Sequence, residues 1–143
     1  MEIHTKQPLN ERLGKCNLCP RNCNVNRLQN QLGFCGTNAD PLVASVFLHH
    51  GEEPVISGNN GICNVFFAHC NLSCIYCQNH QISNNSLKSG CWLTDYESIV
   101  KKIIAILEKG VTLLGFVSPT HQVVQMVEII SRVNKEGFSP TIV

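Results

Sequence analysis

Charge is scarce in this sequence. Lys, Arg, Asp and Glu make up 15% of its 143 residues, and the net charge is +1. No run of basic residues stands out, which argues against binding along a nucleic-acid backbone, where clustered cations replace counterions. A long apolar run is missing too. The longest, Ile99 to Val117, is broken by Lys101, Lys102, Glu108 and Lys109 and cannot span a bilayer. The N-terminal residues Met1-Glu2-Ile3-His4-Thr5-Lys6 contain no apolar signal core. Internal repeats and low-complexity tracts are also lacking. These absences predict a soluble, cytoplasmic protein, and the length suffices for one domain with a real core.

Cysteine, by contrast, is abundant: the chain has nine. With no signal peptide, an odd count and tight spacings, the pattern favours metal ligation over disulfides. Cys16, Cys19, Cys23 and Cys35 form one set, C-x2-C-x3-C-x11-C, and Cys70, Cys74 and Cys77 form another, C-x3-C-x2-C. Cys63 and Cys91 are left over and read as free buried thiols.

The second set is the more informative. Three thiolates on one short loop can hold three irons of a four-iron cluster and leave the fourth iron open. An open position is where chemistry occurs, whereas a structural site is closed. Zinc is the alternative, with His69 or His80, which flank the loop, as a fourth ligand.

The surrounding pattern is α/β. Residues 16–35 read as loops tied by a metal. Leu42 to Leu48 reads as a strand, turn chemistry follows, and Ile62 to Ala68 is a second strand leading into the three-cysteine loop. Thr94 and Glu97 suggest a capping box before a helix with Val100, Ile103, Ile104 and Leu107 on its apolar face. Val111 to Val117 is a buried-type strand. A second helix should bury Val123, Met126, Val127 and Ile130, and Thr141-Ile142-Val143 begins another strand. Strands alternating with helices imply parallel pairing. We expect a Cys-rich metal-binding segment and lead-in strand over residues 1–60, then the truncated N-terminal portion of a partial (βα) barrel with parallel strands over residues 61–143.

The three-cysteine loop, with Tyr76 before its last cysteine, resembles that of the radical S-adenosylmethionine (radical SAM) enzymes. Cys16-Asn17-Leu18-Cys19-Pro20-Arg21-Asn22-Cys23, Gly33-Phe34-Cys35-Gly36, His50 to Gly58, Cys77-Gln78-Asn79 and Ser118-Pro119-Thr120-His121 narrow the resemblance. They are similar to the branch related to pyruvate formate-lyase activating enzyme. The resemblance implies a radical SAM barrel and a [4Fe-4S] cluster on Cys70, Cys74 and Cys77. It also implies SAM chelated at the open iron and its reductive cleavage to a 5′-deoxyadenosyl radical. An electron donor such as flavodoxin or ferredoxin and a protein substrate are the implied partners. A longer parent protein would carry the remaining barrel units, so the chain by itself should be inactive or weakly active.

Residue by residue, Tyr76 is expected near the adenine or as a packing residue on a turn. Asn79, Ser118, Thr120 and His121 are the other candidate cofactor contacts. At the end of the second barrel-type strand the family carries Gly-Gly-Glu, which is replaced here. Ser118 or Thr120 could instead cap the next helix, and His121 could be a first-turn surface residue. Cys16, Cys19, Cys23 and Cys35 have enough thiolates for zinc or a second cluster, or remain free thiols. His49, His50, Glu52 and Glu53 read either as an acid/base group or as a solvated turn.

Overall fold

The computed structural model describes residues 9–53, 56, 59–87 and 92–143. Cys91 and part of the His50 to Gly58 stretch lie outside the described residues. Four strands form one sheet in the order β1-β2-β3-β4: β1 Val43–His49, β2 Ile62–Phe67, β3 Leu113–Val117 and β4 Thr141–Ile142. The helices are α1 His80–Ser83, α2 Tyr96–Leu107 and α3 Val123–Lys135. The fold is mixed α/β, as expected, with parallel pairing of β2 to β3 and of β3 to β4. The lead-in strand β1 departs from that pattern and pairs antiparallel with β2.

Alternation along β2 divides its side chains between two faces. Cys63, Val65 and Phe67 face a core shared with Leu114 and Phe116 of β3, Ile99, Val100 and Ile103 of α2, and Ile129 and Val133 of α3. On the other face, Asn64 is buried beside Gly115, its register partner. A Cβ on Gly115 would clash with Asn64 Oδ1 and Ile62 Cδ1, so a larger residue here would force those side chains to shift. Asn64 Nδ2 then donates to Glu52 Oε1 at 3.2 Å. Glu52 also lies 4.0 Å from His49 Nε2. The expected polar group beyond β1 is therefore tied into the sheet rather than fully solvated.

Both helices form where expected, with two corrections. The cap of α2 is Asp95, whose Oδ1 accepts from Ser98 N–H at 2.7 Å. The Thr94–Glu97 box is displaced by one residue because aspartate serves equally well as a cap. In α3 the buried residues are Val124, Gln125, Ile129 and Val133. Met126 and Ile130 pack at the margin of the core, and Val127 is 45% exposed. The helix is rotated towards two glutamines. Gln125 Nε2 donates to Ala39 O at 2.8 Å, and Gln122 Oε1 accepts from Leu42 N–H at 2.8 Å. Buried amides that hydrogen-bond distant backbone are invisible to a pattern that counts only apolar residues.

Parallel pairing of β2 and β3 brings their C-terminal ends side by side. The three-cysteine loop leaves one and Ser118 leaves the other. Such an edge is the usual ligand-binding edge of parallel sheets.

Candidate functional site

Cys70 follows β2 by three residues. The loop is pinned before it by His69, which is buried with φ +65°. The His69 ring nitrogens face two carbonyls, Nδ1 to Cys35 O at 2.9 Å and Nε2 to Leu87 O at 3.0 Å. Its edge packs on Trp92. His69 is thus occupied as a brace and has no ring nitrogen free to ligate a metal. Asn85 holds the next residue: Cys70 N–H donates to Asn85 Oδ1 at 2.8 Å, and Asn85 Nδ2 donates to Cys70 O and Phe34 O.

The three thiols are presented differently. Cys70 and Cys77 line a cleft of about 50 Å³ with Asn79, Ser83, Val117 and Ser118. Cys74 is exposed and opens on an adjoining cleft with Cys77 and His80. Leu72 N–H donates to Cys70 Sγ at 3.4 Å, and Cys77 Sγ lies 3.3 Å from Ser83 Oγ. Among the described residues, no three His, Cys, Asp or Glu side chains converge to the spacing that holds a metal ion. The donor set itself, three soft sulfurs on one flexible loop, fits iron–sulfur ligation.

Of the other candidate contacts, Asn79 and Ser118 meet Cys70 and Cys77 in one cleft. Ser118 is exposed and has φ +47°, a left-handed conformation uncommon for serine and of the kind that gathers at functional sites. Tyr76 is 82% exposed beside the loop, so it is not the packing residue of the alternative reading. Thr120 is exposed on a 3-10 turn, Thr120–Gln122, that leads into α3. Neither Ser118 nor Thr120 caps that turn or the helix, because the turn intervenes and no side chain bonds to either N-terminus.

His121 is a correction to the surface alternative: it is 2% exposed. Its Nε2 donates to Ala68 O at 3.1 Å, and its ring edge packs on Phe67. Burial pushes its pKa down to about 4, with the Arg27 and His69 charges adding to that and backbone hydrogen bonds opposing it. Nδ1 makes no hydrogen bond of good geometry. His121 faces the N-terminal knot, where Cys16, Cys19, Cys23 and Cys35 line one cavity. Sequence reasoning missed Arg27, which is buried in the same place and donates to His121 O at 2.7 Å. An isolated arginine carries no signal of burial in sequence.

Cys63 is the expected free buried thiol. Burial pushes its pKa up to about 12, so it holds almost no thiolate near neutrality. In metal-free, reduced protein at pH 8, iodoacetamide should leave Cys63 unmodified while exposed Cys74 reacts, as read by peptide mass mapping. Early alkylation of Cys63 in folded protein would contradict its placement in β2.

Among the described residues, no helix is long and apolar enough to cross a membrane. Over 68 residues the chain is 38% identical to an uncharacterized protein of Methanocaldococcus jannaschii. That stretch covers 48% of this chain and 19% of the archaeal protein, so the chain spans about a fifth of the relative it matches. No solved structure matches the chain. The family model described as a 4Fe-4S single cluster domain matches residues 56–143, more than half of the chain and the whole of the three-cysteine loop. This chain therefore belongs to the 4Fe-4S single cluster domain family.

Proposed function

We propose that this iron–sulfur protein is a radical SAM protein whose cluster is held by Cys70, Cys74 and Cys77. The observation that carries the reading is a set of three thiols, not four, where β2 and β3 end side by side and Ser118 shares the cleft. A 4Fe-4S single cluster domain is a radical SAM-associated iron–sulfur domain, which agrees with it. When bound, the reduced cluster would supply one electron to the SAM sulfonium, releasing the radical that takes hydrogen from a substrate.

The chain's own residues have defined parts in this proposal. Asn85 and His69 fix the start of the loop, so that Cys70 stays at the mouth of the cleft. Asn79 and Ser118 present polar groups beside Cys70 and Cys77, in position to hydrogen-bond the amino and carboxylate groups of SAM. Tyr76 presents an exposed ring on which an adenine can stack. Thr120 stands on the adjacent turn as a further polar contact. His121 acts from behind, holding the β3 turn to the end of β2 through Ala68. Relation to pyruvate formate-lyase activating enzyme, a protein substrate and a flavodoxin or ferredoxin donor belong to the same proposal. They extend to the longer architecture of which this chain spans a part.

The test is anaerobic reconstitution with iron and sulfide. Wild type should bind about four irons and show the broad visible absorption of a cluster, and SAM should perturb the electron paramagnetic resonance spectrum of the reduced protein. Replacing Cys70, Cys74 and Cys77 by Ala should remove the iron. Zinc in place of iron, or a cluster whose spectrum SAM leaves unchanged, would sink the proposal.

A further inference from the structure

We propose that Cys16, Cys19, Cys23 and Cys35 form a second metal centre, a closed four-thiolate site for one zinc ion with Arg27 as its buried counter-cation. The family match begins at residue 56 and leaves these cysteines outside it. All four line a single cavity of about 10 Å³, together with Arg21, Arg27, Phe34 and His121. Four thiolates that fill every position are the usual ligand set of a structural zinc ion.

The surroundings are built for sulfur. Gly33 passes so close to Cys23 that a Cβ there would lie 2.8 Å from its Cβ and 2.9 Å from its Sγ. Phe34 N–H donates to Cys23 Sγ at 3.3 Å, and Arg27 Nη1 lies 4.0 Å from Cys16 Sγ. Asn22 and Asn24, on either side of Cys23, both have left-handed backbones, which asparagine tolerates better than most residues. These turns wrap the chain around the cavity: Cys16 N–H donates to Val25 O and Asn24 N–H to Cys16 O, each at 2.9 Å.

Charge supplies the independent argument. Arg27 is 1% exposed. Its guanidinium donates to Asn38 O and His121 O, but among the described residues no carboxylate forms an ion pair with it. A buried charge without a counter-charge is costly. Zinc binding would draw the four sulfurs together, release four thiol protons to solvent and leave a complex of net charge −2 beside Arg27. His121, which also lines the cavity, has a buried Nδ1 without a hydrogen-bond partner.

Such a centre would hold the cluster loop from behind. Arg21 Nε donates to Asn71 O at 3.0 Å, Asn85 Nδ2 donates to Phe34 O at 3.0 Å, and His69 Nδ1 meets Cys35 O at 2.9 Å. Arg27 ties the same knot to the turn after β3.

The test separates this centre from the cluster. Chain carrying Cys70→Ala, Cys74→Ala and Cys77→Ala should retain about one zinc, with four sulfur neighbours at about 2.3 Å by X-ray absorption. Adding Cys19→Ser and Cys23→Ser should bring zinc close to zero. Gly33→Ala should weaken zinc binding about 10- to 100-fold, as changes around a metal site commonly do. Iron instead of zinc in the Cys70/Cys74/Cys77 variant, or no retained metal, would overturn the assignment. Should the added serines unfold the chain, X-ray absorption on wild-type protein decides. Four sulfurs uphold the proposal, and a nitrogen neighbour, which would transfer a ligand role to His121, overturns it.

Discussion

Arg27→Ala should lower the unfolding free energy by about 3 kcal/mol or more. Two carbonyls are involved, the part-buried Asn38 O, which accepts from Nε and Nη2, and the buried His121 O, which accepts from Nη1 at 2.7 Å. A stranded buried acceptor costs ~1–3 kcal/mol, and the vacated volume adds a packing term. For a chain of this size the melting temperature should fall by roughly 10 °C. Arg27→Lys keeps the charge but loses the planar fork, so it should recover only part of the loss. The damage should be greatest where Arg27 joins the cysteine knot to the β3 turn, and hydrogen exchange at His121 and Gln122 should rise more than exchange at Ile103. A melting temperature within about 2 °C of wild type would mean that this guanidinium does not hold the two segments together.

The second large effect concerns the face of α3. Ile129→Ala should cost about 2–5 kcal/mol, as expected for a large aliphatic side chain removed from a closed core. Ile129 is fully buried within the cluster that also holds Val65, Ile103 and Leu114. Val127→Ala, on the exposed side of the same helix, should stay within about 0.5 kcal/mol. Denaturant unfolding of metal-free protein measures both. Equal losses would show that α3 is rotated towards the face that its apolar periodicity suggests.

That comparison also shows how a sequence pattern loses information. The apolar positions Val123, Met126, Val127 and Ile130 do have helical spacing, and a helix forms there. Its rotation depends on Gln122, whose amide bonds the Leu42 backbone, and on Gln125, whose Nε2 donates to Ala39 O. Those partners lie 80 and 86 residues away in sequence. The position of α2 was legible because Val100, Ile103 and Leu107 need no distant polar partner to be buried, while Ile104, expected on the same face, is only partly buried against the core and Ile99 and Ile106 join the buried face. Its cap was legible only to within one residue, since Thr94 and Asp95 are both good N-caps.

The site divides in the same way. Three cysteines at C-x3-C-x2-C express their chemistry by spacing alone, because ligands on one short loop need no tertiary contact to be brought together. Ser118 lies beside that loop because parallel pairing places the ends of β2 and β3 together. The role of His121 was not readable. Its burial and its contact with Ala68 arise from packing of the β3 turn on the end of β2.

By itself the sequence determined the alternation of strands and helices and the spacing of the two cysteine sets. Each is a local property, set by periodicity or by ligands close along the chain. Tertiary structure alone decided the antiparallel turn of β1, the buried face of α3 and the union of Arg27, His121 and four cysteines around one cavity. Those features depend on which distant backbone carbonyls and side chains satisfy a buried polar group, and no local pattern encodes that choice.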